Sequence, residues 1–317
     1  MAEHHTKVLI LGSGPAGCTA GLYAARAMLQ PIIIEGEQIG GQLSTTSDVE
    51  NYPGFAEAIK GPWLMEQMKS QALSFGVRFM ADNIVSVDLS SRPFRVSGRR
   101  DTYLAESLII CMGAQAQWTN VPGESVYRNF GVSSCATCDG FFYRGQEVAV
   151  IGGGNTAVEE ALLLSTIATK VTLIHRRDTL RAERILQDRL SRATNVEMRW
   201  NTVVEEILGS PKTGATGLRV RNTQSGSLDE IAVGGVFVAI GHKPATSLFA
   251  GQLQLTPTGY IEVASRTTQT NIPGVFAAGD VTDEHYRQAV TAAGMGCMAA
   301  LDAERWLNGI PAEVAAA

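Results

Sequence analysis

A strand that ends in a glycine-rich turn and runs directly into a helix is written twice in this chain, in the same register. The first copy reads Lys7-Val-Leu-Ile-Leu11, then Gly12-Ser13-Gly14-Pro15-Ala16-Gly17, an alanine-rich stretch to Leu29, and Ile32-Ile33-Ile34 ending at Glu35. The second reads Val148 to Ile151, then Gly152-Gly153-Gly154-Asn155-Thr156-Ala157, a helical stretch to Thr166, and Val171 to Ile174 ending at His175. In both copies 23 residues separate the first glycine from the residue that closes the second strand. Short, continuously apolar strands joined by a helix point to parallel strands buried on both faces. Repetition of a whole βαβ unit selects the α/β class.

These glycines also carry chemistry. The first permits the tight turn, the second lets backbone approach a pyrophosphate, and the third lets helix pack on strand, while the helix N-terminus faces the anion. Gly12, Ser13, Gly14, Pro15, Ala16 and Gly17 are therefore expected to cradle one dinucleotide. Gly152, Gly154, Asn155 and Thr156 are expected to cradle another. The residue closing the second strand selects which one. A carboxylate at Glu35 accepts from both ribose hydroxyls of an adenosine and repels a 2′-phosphate, which suits FAD or NAD. His175 takes that place in the second copy, followed by Arg176 and Arg177, with Arg181 a little further on. Guanidinium forks favour a phosphate, so this module is expected to hold NADPH. Arg184, Arg189 and Arg192 are expected to form a solvated basic helix face.

A chain of 317 residues suits two domains. Each module has a later apolar strand ending in glycine, Leu108 to Gly113 and Val236 to Gly241. A third such run, Val275-Phe-Ala-Ala-Gly279-Asp280, has no glycine fingerprint of its own nearby. It completes the first module if the second is inserted within it. The expected fold is thus α/β, with two Rossmann-like dinucleotide-binding domains, the second inserted in the first. The FAD-binding domain would be 1–117 with 246–317, and the NADPH-binding domain 118–245, with joints near Trp118–Gly123 and Gly241–Ser247. Net charge is −5, which argues against a nucleic-acid partner. No signal peptide pattern is visible, and no apolar run approaches the ~18 residues that span a bilayer. A cytoplasmic protein with no membrane partner is expected.

Between the two fingerprints lies Cys135-Ala136-Thr137-Cys138-Asp139, the one close pair among five cysteines. A structural zinc site commonly draws four ligands from two such pairs, and no second pair exists, so no metal is expected. A pair at this spacing suits a small disulfide loop whose two sulfurs differ in role. Asp139 beside it can move protons. Two nucleotides and one dithiol suggest a relay from a nicotinamide, through a flavin, to a disulfide. One sulfur must meet the flavin and the other an outside partner. Cys18, Cys111 and Cys297 are expected to fill space.

At this point the chain resembles the low-molecular-weight thioredoxin reductases of bacteria, plants and fungi, which are class II pyridine nucleotide-disulfide oxidoreductases. The likeness rests on Cys135-Ala-Thr-Cys-Asp-Gly-Phe-Phe142, Gly152 to Glu160 and His175-Arg-Arg-Asp178. Gly40-Gly-Gln-Leu43, Glu50-Asn-Tyr-Pro-Gly54, Gly279-Asp280, Arg287-Gln-Ala289 and Gly294 to Ala300 also carry it. The resemblance implies an NADPH-dependent thioredoxin-disulfide reductase, a homodimer with thioredoxin as its partner. It implies FAD contacts at Glu35, Gly41, Gln42, Asn51, Gly279, Asp280, Arg287, Gln288 and Ala289. It implies NADPH phosphate contacts at Arg176, Arg177 and Arg181. Cys138 would be the flavin-proximal sulfur, Cys135 the thiol that attacks thioredoxin, and Asp139 the acid that protonates the leaving thiolate. A rotation of one domain against the other is also implied. One departure is Cys111-Met112-Gly113, where the family often has Ala-Thr-Gly. Dithiol oxidases of similar fold typically lack the arginine pair, and ferredoxin reductases of similar fold lack the dithiol. A flavin-loaded redox sensor is the non-enzyme alternative, separable by whether turnover depends on thioredoxin.

Overall fold

The computed structural model describes residues 2–46 and 48–309. Two compact units divide the chain, Met1–Gln115 with Lys243–Ala317, and Ala116–His242. The segments that connect them, Ala114–Ala116 and His242–Pro244, pair as a two-stranded ribbon.

In the first unit the strands Arg78–Met80, Ile32–Ile34, Glu3–Leu11 and Thr102–Ile110 lie side by side and parallel. Thr102–Ile110 is forked along its far edge. Its second half pairs in parallel with Val275–Ala277, in the register Val275↔Leu108 to Ala277↔Ile110. Its first half pairs antiparallel with Phe94–Gly98, which continues to Ile84–Asp88. The sequence places the first strand at the apolar Lys7–Leu11, whereas the strand begins at Glu3. Its polar half is held by the ladder Glu3↔Thr102 to Thr6↔Ala105 rather than by burial. Helices Pro15–Arg26 and Ala289–Leu307 cover one face of the sheet. They meet through small residues, Ala16, Ala20 and Ala24 sharing a core with Ala292, Ala299 and Ala303. Small side chains let two helix backbones approach closely.

The second unit has a fully parallel sheet in the order Val132–Ser133, Gly235–Val238, Glu147–Ile151, Lys170–Ile174, Val196–Arg199. A separate antiparallel sheet follows, Thr202–Ser210, Gly214–Asn222 and Leu228–Ala232. Both units thus contain the expected parallel βαβ arrangement, and the antiparallel strands are additions to it. Among the described residues no helix is long and apolar enough to cross a membrane.

Asp82 ties the first unit together at the end of the strands that carry Glu35. Its carboxylate accepts from the amides of Asn83 (2.8 Å), Arg100 (3.1 Å) and Asp101 (3.1 Å) and from the Tyr103 hydroxyl (3.1 Å). Its carbonyl accepts from Gly36 N–H (3.2 Å), directly after Glu35. Burial alone would raise this carboxyl. The Asp101, Asn83 and Arg100 amides and the Tyr103 hydroxyl outweigh it and hold the group below the usual carboxylate range. A pKa depressed on folding contributes stability above the unfolded value, near ~4, and loses it as pH falls toward the folded value. Asp82→Asn is therefore expected to lower the urea midpoint markedly at neutral pH, with the gap to the parent closing as pH falls below about 4. Urea melts at several pH values check this; a gap independent of pH contradicts it.

Candidate active site

At the first glycine turn the backbone leaves no room for side chains except where a ligand would approach. A Cβ on Gly12 (φ +106°) would lie 2.3 Å from the Cys111 carbonyl, and one on Gly17 would lie 1.9 Å from the Gly12 carbonyl. A Cβ on Gly14 would meet nothing within 4 Å. Gly14 is the N-cap of helix Pro15–Arg26, which has Pro15 in its first turn, no side-chain cap and no acid there. Its leading amides are thus left for an anion from outside, as a pyrophosphate requires.

Ser13 is buried; its Oγ donates to the Glu35 carbonyl (3.2 Å) and accepts from Gly40 N–H (3.0 Å). This sets the Gly40–Gln42 loop against the turn, and a Cβ on Gly41 would stand 3.3 Å from Gly14 Cα. Glu35 is buried and paired with Lys69 Nζ (2.5 Å). Beside the pair is a cavity of about 220 Å³ lined by Ser13, Gly40, Met65, Glu66 and Lys69 among others.

The remaining residues expected at this cofactor come from two other places. Gln42 Nε2 donates to the Ala114 carbonyl, and Asn51 Nδ2 donates to Gln288 Oε1 (3.2 Å). Gln288 caps helix Ala289–Leu307 in a capping box with Thr291. Gly279 (φ +79°) lies against Ala16, where its Cβ would come within 3.0 Å of the alanine methyl. Next to it, burial and the Asp283 carboxylate push the Asp280 carboxyl up to about 7, with Arg287 pulling the other way. Arg287 adopts φ +49° because Asp283 fixes the turn, accepting from the amides of His285 (2.9 Å), Tyr286 (2.8 Å) and Arg287 (3.0 Å).

The second glycine turn repeats the geometry. A Cβ on Gly152 would lie 2.3 Å from the Ala239 carbonyl, whereas one on Gly154 would meet nothing within 4 Å. Helix Asn155–Ser165 starts at Gly154 with no side-chain cap and no acid in its first turn, and Thr156 is its second residue. Asn155 is locked to the Glu183 segment, its Nδ2 donating to Glu183 Oε1 (3.1 Å) and its Oδ1 accepting from Glu183 N–H (2.9 Å). His175 is buried beneath Gly153, with Nε2 3.0 Å from the Thr179 carbonyl. Burial holds its pKa below the ordinary histidine value, outweighing its backbone hydrogen bonds at Thr179 and Gly152, and Arg181 and Arg176 lower it further. Arg176, Arg177 and Arg181 are exposed, and none has a carboxylate within ion-pair distance among the described residues. Arg181 N–H donates to the Gly153 carbonyl (2.7 Å), which brings this arginine to the glycine turn. Three unpaired guanidiniums beside an uncapped helix end suit a dinucleotide bearing an extra phosphate.

Cys135 and Cys138 are joined as a disulfide, with Cα atoms 5.3 Å apart. Cys135 is the N-cap of the one-turn helix Ala136–Asp139, and its Sγ accepts from Cys138 N–H (3.1 Å). Cys138 is exposed and Cys135 half-buried. Burial raises the Asp139 carboxyl above the usual range, partly offset by the Ser133 hydroxyl. Phe141 and Phe142 stand exposed after it. Cys18 and Cys111 are buried, and burial pushes the Cys18 thiol up to about 12 and the Cys111 thiol higher still. Such thiols are inert at neutral pH. Among the described residues no group of three or more His, Cys, Asp or Glu could hold a metal.

Sequence reasoning missed Lys69 as the partner of Glu35, and Ser133 and Glu160 as holders of the dithiol loop. Cys135 N–H donates to Ser133 Oγ (3.0 Å) and Ala136 N–H to Glu160 Oε1 (3.3 Å). Only Ser133 left a local signal, a hydroxyl two residues ahead of the amide that it caps.

Residues 6–296 match the family model described as pyridine nucleotide-disulphide oxidoreductase. A thioredoxin reductase of Rickettsia conorii is 56% identical over 305 residues, covering 96% of this chain and 98% of that protein. One of Escherichia coli O157:H7 is 55% identical over 314 residues, covering 96% and 97%. The solved thioredoxin reductase of Giardia duodenalis superposes with a TM-score of 0.92 at 43% identity, covering 96% of this chain and 99% of that one. The chain belongs to the pyridine nucleotide-disulphide oxidoreductase family, on its thioredoxin reductase branch.

Proposed function

We propose that the protein is an NADPH-dependent thioredoxin-disulfide reductase that carries FAD, works through the Cys135–Cys138 disulfide, and acts in the cytoplasm as a homodimer. The observation that carries this reading is the pairing of Cys135 with Cys138 beside Asp139, on a chain with two uncapped glycine-turn helix ends. The first unit would hold FAD, with the Gly12–Gly17 turn on its pyrophosphate and Glu35 on its adenosine ribose. The second would hold NADPH, with Gly152–Thr156 on the pyrophosphate, His175 packed beneath the turn, and Arg176, Arg177 and Arg181 on the 2′-phosphate.

When bound, FAD supplies two-electron transfer between the nicotinamide and the disulfide. The chain's own groups do the rest. Cleavage of the Cys135–Cys138 bond by an electron pair leaves two sulfurs, of which Cys135 keeps the Cys138 amide as a donor that favours its thiolate. That thiolate attacks the thioredoxin disulfide and forms a mixed disulfide. The leaving thioredoxin thiolate takes its proton by way of the Asp139 carboxyl, which burial raises above the usual range. Cys138 then attacks Cys135 Sγ, releases reduced thioredoxin and restores the starting bond. The thioredoxin couple near about −270 mV is within reach of NADPH.

A three-part assay tests the reading. The purified protein is expected to be yellow, to bleach with NADPH without oxygen, and to oxidise NADPH continuously only when oxidised thioredoxin is supplied. Bleaching without thioredoxin-dependent turnover would favour a redox sensor, and a colourless protein would end the proposal.

A further inference from the structure

The dithiol loop has its backbone amides tied by a small set of acceptors. Cys135 N–H goes to Ser133 Oγ (3.0 Å), Ala136 N–H to Glu160 Oε1 (3.3 Å), Cys138 N–H to Cys135 Sγ (3.1 Å) and Asp139 N–H to the Cys135 carbonyl (3.1 Å). Three of these acceptors lie within or just before the loop. Glu160 alone comes from elsewhere, from helix Asn155–Ser165, which begins at the second glycine turn. Ala136 is 3% exposed and packs into one core with Ala157, Ala161 and Leu164 of that helix. Its amide has no water to turn to if the carboxylate is removed.

We propose that Glu160 is a positioning residue for thiol–disulfide exchange: by accepting from the Ala136 amide, it holds the loop so that Cys138 N–H stays aimed at Cys135 Sγ. It acts through the loop and is not itself a proton donor or a nucleophile. The inference rests on the reading of Cys135 as the exchanging thiol. An amide donor at the sulfur favours the thiolate over the thiol, and the thiolate is the nucleophile. Without an acceptor at position 160, the Ala136 amide must swing toward another partner. The short helix Ala136–Asp139 turns with it, and the Cys138 amide leaves the sulfur. Cys138 and Asp139 share the loop with Cys135, and the Glu160 carboxylate meets it at the Ala136 amide. Tyr143, whose own titration is raised by burial and by the Asp139 charge, stands behind Asp139. Gln, Ala and Met at position 160 all remove the same carboxylate charge, so a difference between Gln and the other two reports the hydrogen-bond acceptor rather than the charge.

The test uses flavin-loaded parent, Glu160→Gln, Glu160→Ala and Glu160→Met. Each is reduced with dithiothreitol, freed of it without oxygen, and alkylated with iodoacetamide from acid to alkaline pH, with Cys135 modification followed by peptide mass. Thermal melts and flavin spectra accompany each variant. Glu160→Ala and Glu160→Met, which lack an acceptor, are expected to shift the alkylation profile up by about one pH unit, slowing Cys135 modification ~10-fold at neutral pH. The plateau rate at alkaline pH should not change. Glu160→Gln keeps a carbonyl oxygen for the Ala136 amide and should stay within about threefold of the parent. Glu160→Met serves if Glu160→Ala loses its flavin, since it preserves the length of the side chain. Profiles of Ala and Met that superimpose on the parent would overturn the inference. So would a Gln variant as impaired as those two. A parent that does not reduce thioredoxin would remove the underlying reading, and this inference with it. A parent active on thioredoxin, together with unshifted variants, removes this inference alone.

Discussion

Cys138→Ser is expected to purify yellow and folded, yet to oxidise NADPH with thioredoxin at least ~10³-fold more slowly than the parent. The reason is chemical rather than structural. Cys138 is exposed and fills no core, so a hydroxyl in its place costs little in packing. Its amide is backbone and still faces Cys135 Sγ. What is lost is the second sulfur. Cys135 can no longer be regenerated as a disulfide, and a mixed disulfide formed with thioredoxin can only be reversed by thioredoxin's own released thiol, never carried forward to reduced thioredoxin. On challenge with oxidised thioredoxin, the variant should therefore show a mixed disulfide only after acid quench and alkylation, on a non-reducing gel, with no reduced thioredoxin released. Steady-state NADPH oxidation measures the main effect. Residual turnover within about tenfold of the parent would mean that electrons leave by another route.

Replacing Arg176 and Arg177 together by alanine is expected to raise the KM for NADPH by about 10²-fold while leaving that for NADH within about twofold. Both guanidiniums are exposed and without an ion-pair partner among the described residues, so their removal strands no carboxylate. Each charge-assisted contact to a phosphate in such a position contributes roughly a tenfold preference. Thioredoxin-linked kcat at saturating NADPH should stay close to the parent's, because the arginines act on binding. Equal losses with NADH and NADPH would move the phosphate contact away from this pair.

The parts of the fold legible in the sequence were those buried on both faces. Ile32–Ile34, Val275–Ala277 and, after their charged first residues Glu147 and Lys170, the strands Glu147–Ile151 and Lys170–Ile174 are buried throughout, and their burial leaves a nearly continuous apolar pattern. The antiparallel strands left no such mark. Leu228–Ala232 is largely exposed, and Thr202–Ser210 is broken by register shifts at Val204/Glu206 and Leu208/Gly209, which interrupts the alternation that would reveal it. Similarly, Glu3–Thr6 is polar and becomes strand only because Thr102–Ala105 offers it a ladder.

The site divides in the same way. Glycine turns, the residues that close the second strands, and a close cysteine pair are local patterns. Lys69 on Glu35 and Glu160 on Ala136 are contacts between elements 34 and 24 residues apart, set by packing that no local spacing encodes. Arg181 is an intermediate case. It follows the arginine pair in sequence, but what delivers it to the glycine turn is a backbone bond from its own amide to Gly153.

The most direct measurement is an anaerobic titration of the flavin-loaded protein with NADPH, in parallel for the parent and Cys135→Ser, with free thiols counted at each addition. The parent should take up one more electron pair per chain than the variant, and that pair should reappear as two new thiols, at Cys135 and Cys138. Identical uptake by the two proteins, or flavin bleaching in the parent with no thiols released, would contradict the path from nicotinamide to disulfide.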